Sequence, residues 1–332
     1  MINRKKACLW IEIAAIAASC TFVAGCTTKQ ERLEKEDAYR TIGINAMENG
    51  NYTEAIEAFD SALELADVLG TNEKDICYYR AAAQFAAGDL NDAIETYNAL
   101  LESDDKNSDA YFLRGSVYLK MNESIKALED YEKAIQYAEN DEIYLVVYNS
   151  LNGAGYETEA KDYLEKALEK KAGRKAENYT VKGKIYLLKE MYPEAIESLA
   201  TAIEKGDVEA NLYLARAYEA SGEAVKAEEC INAYIEVNPE SSVAYNQRGK
   251  KKMEEGNYEE AISEFLNGLE LEQVIDEQEL RSNLIAAYEY SGDFEKAKEL
   301  MGEYVEDYPG DAAAAREYLF LGKNRNEEQD TK

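Results

Sequence analysis

The chain has 332 residues, of which 31% are charged and 46% hydrophobic, so it has enough apolar side chains to bury a core. It carries 37 basic and 67 acidic residues, and this net charge of −30 excludes a surface that binds nucleic acid through its phosphates. The sequence contains no histidine and only three prolines. The absence of histidine excludes histidine-dependent catalysis and His-ligated zinc. The low proline content favours helices over many short strands. We therefore expect an all-α protein without a metal or cofactor.

The N-terminal segment differs in composition from the rest of the chain. Residues 4–6 are basic and residues 7–24 are mostly apolar, which is the pattern of a secretory signal. The apolar stretch ends in the sequence VAGC at residues 23–26. These four residues resemble the lipobox of bacterial lipoproteins. The resemblance implies that a signal peptide at residues 1–25 is removed and that Cys26 carries the lipid.

An uncleaved transmembrane helix is the alternative for this segment. The 18 residues of the apolar stretch lie near the short end of what a membrane span needs, and Glu12 within it makes a permanent span costly. Lipidation at Cys26 is therefore favoured, because a diacylglyceryl group supplies two acyl chains for stable anchoring in a lipid bilayer. Both interpretations place the body outside the cytoplasm. We expect the outer face of a Gram-positive cell membrane, with a Gram-negative outer membrane as the alternative.

The rest of the chain repeats with a period close to 34 residues. An anchor alanine recurs eight times at spacings of 32 to 38 residues, within similar short fragments. Large residues recur 16 and 9 residues before the anchor and 4 residues after it, and glycines recur 12 and 5 residues before it. The glycine column nearer the anchor suits the left-handed end of a helix, and the other allows close helix approach. The anchors are Ala55, Ala93, Ala127, Ala160, Ala195, Ala227, Ala261 and Ala297.

This pattern resembles the tetratricopeptide repeat over residues 37–309. The resemblance implies two helices per repeat and a right-handed superhelical solenoid of about eight repeats, because one hairpin cannot bury its apolar face alone. Residues 26–36 are then the lipidated N-terminus and a short tether. Residues 310–322 are predicted to form a capping helix, and residues 323–332 a disordered tail.

The resemblance also implies a scaffold that binds a protein or peptide along a concave groove made by the first helices. Residues 15, 11 and 8 positions before the anchors are predicted to face that groove. The predicted aromatic strip comprises Tyr78, Phe85, Phe112 and Leu119. The predicted basic strip comprises Lys184, Arg216 and Lys250. Core packing explains the aromatic strip about as well as binding does, and neighbouring acids such as Glu219 and Glu254 could satisfy the basic strip.

Two other functions remain as alternatives. An enzyme acting on the cell envelope could use paired carboxylates, but 67 acidic residues make no single pair informative, and no glycine-rich phosphate loop or metal-ligand motif is visible in the sequence. Glycan-binding lipoproteins of this repeat family usually carry large insertions, for which the tight spacing leaves no room. The sequence therefore predicts a membrane-anchored, extracytoplasmic scaffold that is not an enzyme and that binds a protein or peptide partner.

Overall fold

The computed structural model describes residues 29–66, 70–170, 173, 175–311, 313–314 and 316–319. Within these ranges the regular structure is helical and no strand occurs. The predicted all-α fold of consecutive helical hairpins is confirmed. The predicted signal peptide, Cys26 and the predicted tail lie outside the described residues.

The chain divides into two compact units, Met1–Lys171 and Ala172–Lys332, and each holds four helical hairpins among its described residues. The helices of the first unit are α1 (Lys29–Glu48), α2 (Tyr52–Leu63), α3 (Thr71–Ala87), α4 (Leu90–Ser103), α5 (Ser108–Lys120), α6 (Ser124–Tyr137), α7 (Ile143–Gly153) and α8 (Glu157–Glu169). The helices of the second unit are α9 (Ala176–Leu188), α10 (Tyr192–Glu204), α11 (Ala210–Ala220), α12 (Ala224–Val237), α13 (Ser242–Glu254), α14 (Tyr258–Leu269), α15 (Glu277–Ser291) and α16 (Phe294–Asp307).

Helix α1 begins earlier than the sequence pattern indicated. It starts at Lys29, inside the segment 26–36 that was predicted to be a tether. The segment contains many Glu, Lys, Arg and Leu residues, which favour helix, and the buried side chain of Glu36 lies in this added part of the helix. The first helix is therefore longer than the repeat alone requires.

The two helices of every hairpin are joined by the same backbone turn. The residue five positions before the anchor has a positive φ in all eight hairpins, and the next backbone N–H donates to the carbonyl five residues earlier, at 2.8–2.9 Å. This is the hydrogen bond that closes a left-handed helix end. Glycine occupies the turn position in six hairpins, as predicted. Asn122 (φ 61°) and Glu190 (φ 57°) adopt the same conformation with a side chain.

The core of each hairpin is built from the repeated columns. All eight anchor alanines are at most 2% exposed, which lets the paired helices pack closely. The glycine 12 residues before the anchor lies against the large side chain 4 residues after it. This pairing occurs at Gly43 with Phe59, Gly115 with Tyr131, Gly183 with Leu199 and Gly249 with Phe265. The glycine column therefore makes room for a side chain of the partner helix.

The predicted capping helix has helical residues at 313–314 and 316–319. Asp311 precedes them, and its carboxylate accepts hydrogen bonds from the backbone N–H groups of Ala313 and Ala314, both at 3.0 Å. These bonds cap a helix start and lower the pKa of Asp311. Ala314 packs on the core of the last hairpin beside Met301. Among the described residues, no helix is both long and apolar enough to cross a membrane.

Candidate functional site

The first helices of the hairpins form the surface on which the site was predicted. They contact one another in the pairs α1–α3, α5–α7, α9–α11 and α13–α15. Within each unit the first helices therefore adjoin in two pairs, and we call the surface made by their side chains the first-helix face. The aromatic strip lies in the first unit and the basic strip in the second.

The aromatic strip divides between exposed and buried positions. Phe85, at the end of α3, is 37% exposed, while Tyr78 and Phe112 are half-buried. Leu119 is only 6% exposed, so it belongs to the packed interior and offers little surface to a ligand. Its position was inferred from helical spacing, which cannot tell how tightly the neighbouring hairpin covers it.

Tyr78 and Phe112 are held in place by aromatic and polar contacts. The hydroxyl of Tyr78 donates to the side-chain oxygen of Asn107 at 2.8 Å, and burial raises the pKa of this hydroxyl. Phe112 stacks on the ring of Tyr131, with 5.5 Å between the ring centroids. These contacts fix the rings before any ligand arrives, which lowers the entropy cost of binding.

A polar cluster on the first-helix face of the first unit was not predicted from the sequence. The hydroxyl of Tyr131 lies 2.8 Å from Ser150 Oγ on α7 and 3.3 Å from Ser116 Oγ on α5. Burial raises the pKa of Tyr131. The sequence signal was a tyrosine in a column that holds Phe59, Leu199 and Phe265 in other repeats, a signal that Tyr97 shares. A hydroxyl at a buried position requires a hydrogen-bond partner.

The basic strip in the second unit is paired with acidic and aromatic residues. Lys184 Nζ lies 4.6 Å and Arg216 Cζ 5.6 Å from the ring centroid of Tyr213. Arg216 also donates to Asp276 Oδ1 at 2.5 Å, and Lys250 Nζ lies 3.2 Å from Glu279 Oε1.

Glu219 and Glu254 were expected to satisfy this strip, but Arg216 and Lys250 pair instead with Asp276 and Glu279. Asp276 lies in the connection before α15 and Glu279 in its first turn, so the hydrogen bonds join side chains of different hairpins. Contacts of this kind depend on how hairpins stack and do not follow from spacing within one repeat. All four paired side chains are about half exposed, so each pair contributes only about 0–1 kcal/mol and can exchange partners.

Metal ligation and thiol reactivity depend on the positions and burial of the candidate side chains in the part of the chain that the structure describes. It contains no group of three or more Cys, Asp or Glu side chains that could hold a metal ion. Cys77 and Cys230 are buried free thiols, and burial raises the pKa of both, which disfavours the reactive thiolate. Their interpretation as small apolar core residues therefore fits their environment. Cys26, the predicted lipidation site, lies outside the described residues.

The repeats match models of a known protein family. Four models described as tetratricopeptide repeat match residues 40–107, 108–141, 186–247 and 283–311. The chain is a tetratricopeptide repeat protein. The hairpins of this repeat protein that fall between the matched ranges have the same left-handed turn, at Gly155 and Gly256.

Curated relatives of this tetratricopeptide repeat protein include two whose names refer to heat shock proteins. Hsp70-Hsp90 organizing protein 3 of Arabidopsis thaliana is 27% identical over 246 residues, which is 68% of this chain and 41% of the relative. Heat shock protein STI1 of Saccharomyces cerevisiae is 29% identical over 175 residues, 50% of this chain and 27% of the relative. The chain thus spans well under half the length of either relative.

Similar solved structures include a tetratricopeptide repeat protein from Parabacteroides merdae. It is 18% identical, with a TM-score of 0.43, and the alignment covers 76% of this chain and 99% of that one.

Proposed function

We propose that this tetratricopeptide repeat protein is a non-enzymatic scaffold that binds a protein or peptide partner on the first-helix face of its units. The observation that carries the proposal is an aromatic surface in a chain of net charge −30: Phe85 is exposed, and Phe112 and Tyr78 are held in place by their contacts. Buried aromatic anchors supply most of the binding energy in many interfaces. The names of the relatives, which describe organisers of the chaperones Hsp70 and Hsp90, support a protein partner.

The chemistry of the two surfaces defines the partner further. In the first unit, the first-helix face around Phe112 carries neutral polar groups, Ser116 and Ser150, and therefore suits an apolar or aromatic segment. In the second unit, Lys184, Arg216 and Lys250 suit an acidic side chain or a C-terminal carboxylate that replaces the weakly held Asp276 and Glu279. We treat the two surfaces as separate binding elements.

The proposal is tested with purified full chain and partner proteins from the membrane fraction of its own cells, captured by chemical cross-linking. Phe85→Ser is the informative variant, because Phe85 is exposed and its replacement leaves the fold intact. We expect Phe85→Ser to lose the captured partner. Val225→Ser is the matched control, since Val225 is 72% exposed on a second helix, and it should retain the partner. Equal capture by wild type and Phe85→Ser would refute a binding role for this face.

We also propose that Cys26 is lipidated and anchors the body at the extracytoplasmic face of the membrane, in a Gram-positive cell by preference. The support is the sequence of residues 1–26, a basic start and an apolar stretch that ends in a lipobox-like motif. Labelling cells with an alkynyl palmitate analogue should mark the wild-type chain. The variant Cys26→Ala should remain unlabelled, with residues 1–25 still attached. Labelling of Cys26→Ala at the wild-type level would contradict this assignment.

A further inference from the structure

A second surface lies on the second helices of the first unit, away from the first-helix face. A cleft with a volume of about 360 Å³ opens between α6 and α8, the second helices of consecutive hairpins. We call it the second-helix groove and define it by six of its lining residues. These are Ile125, Leu128, Glu129, Glu159, Asp162 and Tyr163.

The floor of the second-helix groove is apolar. Ile125 is 75% exposed, although isoleucine is among the residue types most often buried. Leu128, one turn further along α6, is half-buried, and the buried ring of Tyr163 on α8 completes the floor. Burial raises the pKa of Tyr163, so its ring remains neutral. Exposed and half-buried apolar side chains therefore line a concave feature, where a partner side chain could be covered on several sides.

The rim of the second-helix groove is acidic. Glu129, Glu159 and Asp162 form no ion pair with any residue in the described part of the chain. A fourth acid, Glu132, pairs with Lys166 at 2.5 Å, and Lys166 Nζ lies 4.3 Å from the ring centroid of Tyr163. The lysine thus neutralises one carboxylate and leaves three without a counter-charge around the apolar floor. Such clustering of like charges costs stability unless a cation shares the surface.

We propose that the second-helix groove docks a basic amphipathic helix of a partner protein. The residues that line the cleft span 125–132 on α6 and 159–166 on α8, about 10 Å along each helix, which matches about two turns of a partner helix. Apolar side chains at positions i and i+4 of that helix would contact Ile125 and Leu128. Its flanking lysines or arginines would meet Glu129, Glu159 and Asp162.

Charge selects the class of partner. Three unpaired carboxylates repel a nucleic acid and an anionic lipid surface, so neither fits the rim. The groove lies on different helices from the first-helix face, and this proposal does not depend on the function proposed for that face.

The direct test is fluorescence anisotropy with the full chain and a fluorescein-labelled leucine–lysine peptide patterned as an amphipathic helix of about four turns. Ile125→Ser should raise the Kd about tenfold, because one large apolar contact is lost. Val225→Ser is the matched control: Val225 holds the equivalent position on α12, two residues before its anchor, and is 72% exposed. It should leave the Kd within about twofold. Equal effects of the two variants, or no effect of Ile125→Ser, would overturn the proposal.

The charge component is tested with a second pair of variants. The test variant combines Glu129→Gln with Asp162→Asn. The control variant combines Glu228→Gln with Glu229→Gln, which removes two exposed acids from α12. The test variant should weaken binding of the leucine–lysine peptide several-fold more than the control variant does. A leucine–glutamate peptide of the same pattern should not bind. If both pairs weaken binding equally, the peptide responds only to net charge and the groove is not its site. If Ile125→Ser loses binding to phosphatidylglycerol vesicles but binds the peptide as the wild type does, the groove binds a lipid surface and the proposal is wrong.

Discussion

The ring of Tyr131 lies so close to the backbone of Gly115 that a β-carbon added to this glycine would come within 2.8 Å of Tyr131 Cε1. The same ring stacks on Phe112, and its hydroxyl reaches Ser150 on the next hairpin. The glycine therefore does more than allow two helices to approach. It sets the position of a ring that supports both the core and the first-helix face.

Gly115→Ala should lower the free energy of unfolding by about 1–3 kcal/mol, because the added methyl group forces Tyr131 or the backbone of α6 to move. Urea unfolding followed by circular dichroism measures the change. Gly153→Ala is the control, since a β-carbon there meets no atom within 4 Å and its φ is not positive. Equal stability of Gly115→Ala and wild type would show that Tyr131 is not confined.

Glu190 offers a test of the left-handed turn. A side chain costs about 1 kcal/mol in this conformation, and glycine removes that cost, so Glu190→Gly should raise the free energy of unfolding by about that amount. Gly222→Ala, at the equivalent turn of the next hairpin, should lower it. Thermal unfolding of the two variants and wild type gives their melting temperatures. A shift of the melting temperature in the same direction for both variants would contradict the assignment of strain to this turn.

Glu36 is a buried carboxylate, 2% exposed, and neither of its oxygens accepts a hydrogen bond in the described part of the chain. Burial raises its pKa, the nearby Glu73 raises it further, Arg32 lowers it, and Asp37 raises it. The charged form is thus disfavoured in the folded state. The stability associated with this group is fully present below its unfolded pKa and is lost as the pH rises through its folded pKa.

Glu36→Gln should therefore be more stable than wild type at pH 7, because the amide removes the buried charge. The gain should shrink as the pH falls toward the ordinary glutamate pKa of 4.5. Chemical unfolding at several pH values checks this, with Glu31→Gln as an exposed control on the same helix. A gain that does not vary with pH would contradict the assignment of a raised pKa.

The repeat pattern predicted the features that depend on one hairpin alone. The anchor alanines, the six glycine turns and the glycines facing a large side chain all follow from spacing, because helical periodicity and the left-handed turn are local properties. The turns at Asn122 and Glu190 carry no glycine, yet they adopt the same conformation and are closed by the same backbone hydrogen bond.

The features that depend on contacts between hairpins could not be predicted in this way. The burial of Leu119, the pairing of Arg216 with Asp276 and the hydroxyl contact between Tyr131 and Ser150 all involve side chains that are distant in sequence. Sequence spacing also cannot distinguish an exposed apolar residue such as Ile125 from an apolar residue that packs in the core.

The basic strip should respond to removal of its paired acids. Asp276→Asn combined with Glu279→Gln frees Arg216 and Lys250, and asparagine tolerates the left-handed conformation of residue 276. We expect a fluorescein-labelled acidic peptide to bind this variant several-fold more tightly than wild type at low salt, and to lose the difference at high salt, where exposed charges are screened. Association rates measured by stopped flow at low and high salt would show this difference between the variant and wild type. No gain at low salt would mean that the strip does not bind carboxylates.

Binding of a protein partner to the first-helix face can be detected by photo-cross-linking in the cells that produce this chain. The photoreactive residue benzoylphenylalanine replaces Phe85 on the first-helix face, or Val225 on α12 as the control position. We expect a discrete cross-linked protein from position 85, none from position 225, and loss of the position 85 product when Phe112→Ala is added. Absence of a product from position 85, or the same product from both positions, would contradict it.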